Sequence, residues 1–198
     1  MILQALAGYY HSLAQKGKIV PEGWSPVKVS FALVIGEDGE LLDVMRLKEE
    51  QQRGKKTVEV PRLLQVPKQV SRSSGVKANF LCDHAGYLLG VDPGGNAERA
   101  KKRFEAGKAL HLKLLKEVDC PAARAVYAYF IRWKPEQADG HPVLQEKLDQ
   151  ILEGGNLVFY FRGSFVHEDE AVRRAWDAHS LQQEDAEVFG RCLVTGEE

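Results

Sequence analysis

The amino-acid sequence predicts an α+β fold, a mixed domain with a mainly antiparallel sheet and several packed helices. Strand-like segments dominate residues 18–70, segments with helical spacing follow over residues 79–153, and a returning strand with an acidic helix is expected within residues 156–198. Strands first and helices later are typical of α+β domains, whereas a regular β-α-β repeat indicates a parallel sheet. An apolar fraction of 44% over 198 residues suffices for a packed core.

The N-terminal third predicts one helix and four strands. Residues 2–16 carry apolar side chains at three-to-four spacing and end at Gly17, as expected of an amphipathic helix. The stretch "VKVSFALVI" (27–35) alternates at period two, and "GEDGE" turns it into the hairpin partner "LLDVMRL". This alternation predicts one strand face made of Val27, Val29, Phe31, Leu33 and Ile35. "TVEV" and "LLQV" predict two short strands, confined to sheet edges or strand ends by Pro61 and Pro67.

The rest of the chain predicts mainly helices. Asn79 is the N-cap expected for a first helix, and Asn96 is the N-cap expected for a long helix that ends near Val118. The first of these helices is expected to bury Phe80, Leu81, Ala85 and Leu88. Further helices are predicted from Pro121 to about Trp133, over about 142–152 and over 168–179. "NLVFYF" (156–161) predicts a buried strand and "RCLVTG" (191–196) a last short one.

The net charge of −1 hides two regions of opposite sign. From Arg46 to Lys77 the chain has nine Lys or Arg against three Glu, and from Ser164 to Glu198 it has three Arg against nine acids. A basic centre of this kind indicates an anion-binding surface more strongly than the net charge does.

Two segments of the basic centre carry the chemistry of phosphate binding. Such binding uses Lys or Arg charge, backbone N–H groups bared by small-residue turns, and hydroxyls, while Gln and Asn amides read base edges. "KEEQQRGKK" (48–56) is interpreted as a flexible polar loop, and its candidate nucleic-acid-binding residues are Gln52, Arg53, Lys55 and Lys56. Those of "KQVSRSSGVKAN" (68–79) are Lys68, Gln69, Arg72, Ser73, Ser74, Gly75, Lys77 and Asn79. The alternative is a basic loop that is merely solvated.

The long helix after Asn96 adds a basic stripe. At 100° per residue, four cations fall within about 60° of one another; they are Arg99, Lys102, Lys113 and Lys116. Nearly opposite lie Ala100, Phe104, Gly107, His111 and Leu115, which predicts one packed face. Such a stripe can follow a phosphate backbone, although an ordinary solvated helix face has the same pattern.

The sequence contains no recognisable catalytic, metal or cofactor motif. "GVDPGGN" (90–96) has neither the P-loop spacing nor G-x-G-x-x-G, so a tight turn is expected there. Cys82, Asp83 and His84 are adjacent, but we interpret Cys82 as core packing and His84 as a surface or hydrogen-bonded residue. We therefore expect no enzyme activity, no metal and no cofactor.

The cysteines and apolar runs indicate a cytoplasmic protein without membrane contact. Cys82, Cys120 and Cys192 are far apart and odd in number, which suits a reducing compartment. The first residues lack the features of a signal peptide, and no apolar run approaches the roughly 18–20 residues needed to span a bilayer.

Four stretches resemble a known family. "MILQALAGYYHSLAQKGKIVPEGWSPVKVSFAL", "EEQQRGKK", "VPKQVSRSSGVKANFLCDHAGYLLG" and "CLVTGEE" are similar to the large-subunit family of type I-C CRISPR Cascade, in family order. The resemblance implies that residues 1–198 are the N-terminal domain of a longer subunit, whose C-terminal helical bundle is absent from this chain.

The resemblance also implies a function. The family's large subunit is a non-catalytic part of an RNA-guided surveillance complex in antiviral defence. It recognises the protospacer-adjacent motif in duplex DNA and helps to open the strands, and a recruited helicase-nuclease cuts. The expected partners are therefore double-stranded DNA with this motif, guide RNA, other Cascade subunits and the helicase-nuclease.

The family's "RSSG-K-NF" run corresponds to Arg72, Ser73, Ser74, Gly75, Lys77, Asn79 and Phe80. From side-chain chemistry we expect Lys77, Asn79 and the Ser73–Ser74 turn at motif bases or their sugars. Lys68, Gln69 and Arg72 are expected on flanking phosphates, and the 48–56 segment against DNA or guide backbone. The alternatives are a scaffold that binds only the guide RNA 5′ handle and neighbouring subunits, and a hydrolase.

Overall fold

One mixed sheet organises the computed structural model, which describes residues 2–15, 19–54, 56–72 and 75–184. Its strands are β1 (Trp24–Ile35), β2 (Leu41–Arg46), β3 (Lys48–Arg53), β4 (Lys56–Pro67), β5 (Cys82–Asp83), β6 (Asn156–Phe161) and β7 (Ser164–Phe165). The strand order is β3-β4-β1-β6-β5, with β2 beside β1 and β7 beside β6. Among these residues β1 and β6 pair in parallel and the other pairs are antiparallel, so the predicted α+β class is confirmed.

The helices follow the predicted order with shifted boundaries. They are α1 (Ile2–Gln15), α2 (Ala85–Leu88), α3 (Ala97–Leu115), α4 (Pro121–Arg132), α5 (Leu148–Leu152) and α6 (Glu170–Glu184), with 3-10 turns at Pro135–Gln137 and Val166–Glu168. The predicted N-cap of α3 and the predicted first residue of α4 are confirmed, since the Asn96 side chain accepts from the N–H of Arg99 and α4 begins at Pro121. The helix predicted over 142–152 is reduced to α5. Among the described residues, no helix is long and apolar enough to cross a membrane.

The predicted helix end at Gly17 and the predicted strand at 191–196 lie outside the described residues.

The sheet separates a large apolar cluster from a small one. Phe31, Leu33 and Phe159 pack with the helices in the large cluster, whereas Val29 and Ala32 belong to the small cluster on the other side. The prediction that Val29 shares a face with Phe31 is therefore wrong. The register between β1 and β6 shifts between these two residues, and such an irregularity changes the phase of the alternation.

Residues 48–61 form a two-stranded arm instead of the predicted flexible loop. β3 pairs with the first half of β4, from Lys48 opposite Pro61 to Arg53 opposite Lys56. The second half of β4, residues 62–67, pairs with β1. The two short strands predicted here are thus one strand of twelve residues. Pro61 lies inside it, where the neighbouring strand changes from β3 to β1 and a missing N–H donor is best tolerated.

The helix predicted to begin at Asn79 begins instead at Ala85. The N-cap of α2 is His84, whose Nδ1 accepts from the N–H of Gly86 at 3.2 Å. The chain first passes through Leu81, with φ of 56°, into β5, which pairs with β6 at the sheet edge opposite the arm. The four residues expected to face inward are nevertheless buried.

A glycine in α3 allows α2 to lie directly against it. A Cβ at Gly107 would be 2.3 Å from the carbonyl oxygen of Tyr87, so only a residue without a side chain fits at this crossing. Because α2 follows β5, this close approach fixes the end of segment 68–79 relative to α3.

Replacing Gly107 by alanine is expected to lower the free energy of unfolding by about 1–3 kcal/mol. The new methyl group forces two closely packed backbones apart. The free-energy cost of this movement exceeds the gain of about 1 kcal/mol in helix propensity. Gly140→Ala is the matched control, because a Cβ there meets nothing within 4 Å. It should change the stability by no more than about 0.5 kcal/mol. Urea denaturation measures both, and a Gly107→Ala protein as stable as the wild type would contradict the packing argument.

Candidate nucleic-acid interface

The basic loop (residues 68–79) begins at the end of β4, where its own backbone fastens it. The N–H of Lys68 donates to the carbonyl of Gly23 at 2.8 Å, and Nε1 of Trp176 in α6 donates to the same carbonyl at 2.5 Å. The side chain of Gln69 donates to the carbonyl of Cys82 in β5 at 3.2 Å. Gln69, predicted to contact a phosphate, therefore holds the loop to the sheet in this structure.

The carboxylate of Asp83 fastens the other end of the basic loop. Its side chain is 1% exposed and accepts from the guanidinium of Arg72 and from the backbone N–H groups of Asn79 and His84, both at 2.8 Å. Asn79 is itself 5% exposed, and its side-chain oxygen accepts from the N–H of Val70 at 2.9 Å. Since a buried carboxylate requires such partners, these bonds fix the shape of the loop.

The structure overturns one of the two predicted roles for Asn79, that of helix N-cap. The buried side chain of Asn79 is engaged within the loop instead of lying on the surface where a base edge would be. A contact with motif bases stays a prediction that would require this hydrogen bond to open.

Arg72 makes two more contacts inside the loop. Its guanidinium lies over the ring of Tyr87, with 4.2 Å between Cζ and the ring centroid, and its Nε donates to the carbonyl of Lys77 at 2.7 Å. The side chain is 23% exposed. A phosphate bound at Arg72 would compete with Asp83 for the same charge, so we assign to Arg72 mainly the shaping of the loop.

The basic loop faces solvent at its first residue and over residues 75–77. Lys68, Gly75 and Lys77 are exposed, and Val76 is 44% exposed. Gly75 has φ of 81°, a left-handed conformation that glycine adopts without strain. Ser73 and Ser74 lie outside the described residues, as does Lys55 of the arm. The described loop therefore presents lysine charge and backbone groups on a frame that is fixed at both ends.

A buried histidine supports the backbone between the loop and β5. Leu81 has positive φ, which costs about 1–3 kcal/mol for a residue with a side chain. Its N–H donates to Nε2 of His111 at 2.9 Å, while Nδ1 of His111 lies 2.7 Å from the carbonyl of Gly107. Nδ1 must therefore carry the proton, and burial lowers the pKa of His111 to about 4, so the ring stays neutral.

The α3 stripe (Arg99, Lys102, Lys113 and Lys116) is exposed, opposite a buried face with the predicted members. The side chains of the stripe differ in how firmly ion pairs hold them. Lys102 lies 2.6 Å from Glu98 and Lys116 lies 3.6 Å from Glu117, both in solvent-exposed ion pairs that contribute little. These lysines can therefore turn toward another anion at small cost.

Arg99 is held more firmly, by Asp92. Its Nε and Nη2 donate to the two carboxylate oxygens at 2.8 and 2.7 Å, and Arg103 donates to the same group at 3.1 Å. The hydrogen bonds from Arg99 are the largest cause that lowers the pKa of Asp92, to about 2. The N–H groups of Gly94 and Asn96 also donate to Asp92. The anion bound by the glycine turn before α3 is therefore the carboxylate of Asp92 itself. The tight turn expected there forms around this carboxylate.

The structure brings the basic loop and the α3 stripe together. Val76 of the loop and Arg99 and Lys102 of α3 line one shallow open cleft of about 270 Å³, with Asn96 and Glu98. Two segments that were predicted independently, a loop and a helix face, are therefore neighbours on one basic surface.

The described tip of the arm, residues 53, 54 and 56, is not part of this surface. It lies at the opposite end of β4 from the basic loop. Lys56 is exposed, and the Gln52 side chain donates to the carbonyl of Gly54 at 3.2 Å and accepts from Oγ1 of Thr57 at 3.1 Å. Gln52 thus braces the turn.

Several positioning residues are absent from the sequence-based predictions. Asp83, Tyr87 and Asp92 determine the shape of the interface, and His111 was predicted to be buried but not to accept a hydrogen bond. Their contacts with Arg72, Arg99 and Leu81 join residues that are 7 to 30 positions apart. The sequence does contain acids and arginines in the same regions, which indicates that ion pairs can form there. It does not show which acid pairs with which arginine.

The adjacent Cys82 and His84 do not form a nucleophile and its base. Burial raises the pKa of the Cys82 thiol, so the thiol stays protonated, and the ring of His84 bonds Gly86 instead. Within the described residues, no group of three or more His, Cys, Asp or Glu side chains is placed to hold a metal ion.

Comparison with known families assigns a chain of this fold and surface to the CRISPR-associated proteins. The matching family is described as CRISPR-associated protein (Cas_Csd1), and the match covers residues 6–198. The chain belongs to this family, which confirms the resemblance to the type I-C Cascade large subunit. A search of curated proteins gave no match.

The stability of the fold is expected to fall as the pH drops from 6.5 toward 4.5. The pKa of His111 is about 4 in the folded chain against 6.5 in the unfolded one, so in this range the unfolded state binds a proton that the folded state does not. The slope is about 1.4 kcal/mol per pH unit for each such histidine. His167, whose pKa burial also lowers to about 4, contributes in the same direction.

Chemical denaturation at several pH values measures this slope. His111→Gln keeps an acceptor for the N–H of Leu81 but cannot titrate, so its slope should be smaller by about 1.4 kcal/mol per pH unit. Equal slopes in the wild type and the variant would show that His111 is not held neutral.

Proposed function

We propose that this chain acts without catalysis in an RNA-guided CRISPR surveillance complex, where it recognises the protospacer-adjacent motif in duplex DNA. It supports strand opening and the recruitment of a helicase-nuclease in antiviral defence. The observation that carries the proposal is the basic surface formed by the exposed residues 75–77 of the loop and the α3 stripe. This surface occurs in a chain of the Cas_Csd1 family.

The surface has the properties that DNA binding needs. Lysines at Lys68, Lys77 and along α3 supply charge for phosphates, and fixed loop ends reduce the entropy lost on binding. Of the described side chains in the loop, Lys77 is exposed beside the cleft-lining Val76 and can donate to base edges. Lys77 is therefore the residue we assign to motif reading, with Ser73 and Ser74 as further candidates from the sequence.

The proposed division of labour leaves cutting to another protein. Cys82, a nucleophile candidate by its type, is buried with a raised thiol pKa. Guide RNA, neighbouring Cascade subunits and the helicase-nuclease are the partners that the family resemblance implies. The proposed compartment is the cytoplasm.

One observation favours a second candidate function. Asn79, expected at motif bases, and Gln69, expected on a flanking phosphate, both make hydrogen bonds inside the protein. A surface left mainly with lysines binds backbone without regard to sequence. The second candidate is therefore a scaffold that binds only the guide RNA 5′ handle and neighbouring subunits.

Lys77→Gln is expected to reduce the preference for motif-bearing over scrambled duplex by about tenfold, since it removes one charge-assisted hydrogen bond to a base. The measurement is equilibrium binding of both duplexes to the assembled complex. Lys147→Gln is the control, because Lys147 pairs with Asp43 of β2, across the sheet from β5. Equal binding of both duplexes by the wild-type complex, with tight binding of the 5′-handle RNA, would instead establish the scaffold.

Neutralising the lysines of the α3 stripe should weaken binding to all duplexes alike. The triple variant Lys102→Gln, Lys113→Gln, Lys116→Gln is expected to reduce the slope of log affinity against log salt by up to about 3 units, because each lysine that neutralises a phosphate contributes about one unit. A titration from low to physiological salt measures this slope. An unchanged slope would place the phosphate-binding cations elsewhere.

A further inference from the structure

A second, larger groove of about 540 Å³ lies beside the basic cleft, around the other side of the first turns of α3. We call it the α3 groove. Its walls are the turn before α3, the start of α3, the 3-10 turn after α4 and the end of α5. Ala97 and Lys101 line the α3 groove. Arg99 and Lys102 line the cleft, and at 100° per residue they face a different side of the helix. Asn96 lines both.

The floor of the α3 groove is apolar and open to solvent. Its apolar members are Val91, Pro93, Ala97, Ala100, Pro135 and Leu152. Most of them are half-buried or exposed. An apolar side chain from another molecule would cover this floor and remove apolar surface from water, which is favourable. The volume lies within the range of about 300–1,000 Å³ that is typical of binding sites.

The α3 groove is formed before any ligand binds. Gly90 has φ of 73°, and a Cβ there would be 2.5 Å from Cγ of Pro135, so a glycine is needed for these two walls to meet. Nε1 of Trp133 donates to the carbonyl of Leu89 at 2.9 Å, which ties the end of α4 to the segment before the groove. A groove with fixed walls loses little entropy on binding.

The charged side chains around the α3 groove select the kind of occupant. Glu105, Glu136 and Asp139 are exposed and line it, against the single ammonium of Lys101. Among the described residues, no ion pair or side-chain hydrogen bond engages these three carboxylates. Asp92 also lines the groove, but its carboxylate is buried and already paired with two arginines.

This combination of apolar floor and negative rim fits a polypeptide better than a nucleic acid. The three carboxylates repel phosphates, whereas the lysines of the neighbouring cleft attract them. A protein segment with an apolar side chain between two cations would satisfy both parts of the groove. Charge complementarity of this kind positions one protein on another and disfavours wrong partners.

We propose that the α3 groove is the docking site for a neighbouring protein subunit of the surveillance complex, which inserts a bulky apolar side chain flanked by Lys or Arg. The inference rests on the proposed work of this chain in such a complex. The floor takes the apolar side chain, and Glu105, Glu136 and Asp139 pair with the flanking cations. Since Asn96 lines both sites, the docked subunit lies next to the basic cleft. Its cations therefore extend the positive surface proposed for DNA.

Carboxyl labelling shows whether the groove is covered on assembly. A water-soluble carbodiimide with glycine ethyl ester converts accessible Asp and Glu carboxylates to amides, which mass spectrometry counts. Labelling of Glu105, Glu136 and Asp139 should fall several-fold when the chain is taken up into the assembled complex. It should stay unchanged when the chain is mixed with duplex DNA or guide RNA alone.

Neutralising the rim should weaken the uptake of the chain. The triple variant Glu105→Gln, Glu136→Gln, Asp139→Asn is expected to bind the rest of the complex about tenfold more weakly at low salt, because three individually weak ion pairs are lost together. The difference should disappear near 1 M salt, where charges more than about 3 Å apart are screened. Equilibrium binding of labelled chain to the complex assembled without it measures both.

The matched control removes three exposed acids that do not line the groove, by Asp38→Asn, Glu40→Gln and Glu50→Gln. It should bind like the wild type. A second pair of variants tests the floor. Ala97→Trp fills the groove and should weaken uptake by about tenfold at every salt concentration. Ala178→Trp adds the same side chain at an exposed position of α6 and should have no effect. Thermal melting checks that each variant is folded.

Unchanged labelling of the groove on assembly, or wild-type uptake of the groove variants, overturns the proposal. An equal loss in the control triple variant also does so, because net charge would then explain it. Protection by DNA or RNA alone would assign the groove to nucleic acid, and protection that grows with the concentration of the isolated chain would assign it to a second copy. Motif discrimination by a complex that does not use the groove refutes the docking site alone. Docking through the groove with equal binding of motif and scrambled duplexes refutes motif reading alone.

Discussion

The shape of the basic loop depends on the buried carboxylate of Asp83, at the end of β5. It accepts hydrogen bonds from Arg72, from the backbone of Asn79 and from the backbone of His84. An unpaired carboxylate at this depth would cost several kcal/mol, so the loop must return to β5 to satisfy it. The consequence for function is that Arg72 serves as an internal counterion, and the charge available to a ligand comes from the lysines around it.

Where local signals and burial agree, the sequence predicts the fold well. Asn96 and Pro121 begin α3 and α4 as expected, because a cap and a following amphipathic period are both local. The arm was not predicted, because a ribbon with no buried face lacks the apolar alternation that identifies strands: "KEEQQR" is polar throughout. Val29 was placed on the wrong face because the irregularity after it depends on pairing with β6, more than a hundred residues away.

The sequence predicts the amino-acid composition of the candidate site. It does not predict which of the charged side chains are free of internal contacts and can bind a ligand. A count of Lys and Arg finds the basic centre, yet it treats Arg72, Arg99 and Lys77 as equivalent. The structure shows two of them in ion pairs with the buried acids Asp83 and Asp92, and the third exposed. The difference arises from long-range packing, since a buried acid selects its partner by position in the fold and not by distance along the chain.

The acidic end of the chain illustrates the same point, because its charges are partly used in packing. In α6, Asp177 accepts from Nε1 of Trp24 at 2.7 Å, and Arg173 lies over the Trp24 ring at 4.2 Å. Trp176 stacks on Phe80 at the end of the basic loop, with 5.5 Å between ring centroids. The described part of the acidic segment thus supports the basic loop from behind. A chain with a net charge near zero can therefore present a positive face, because an acid such as Asp177 is engaged in the packing behind that face.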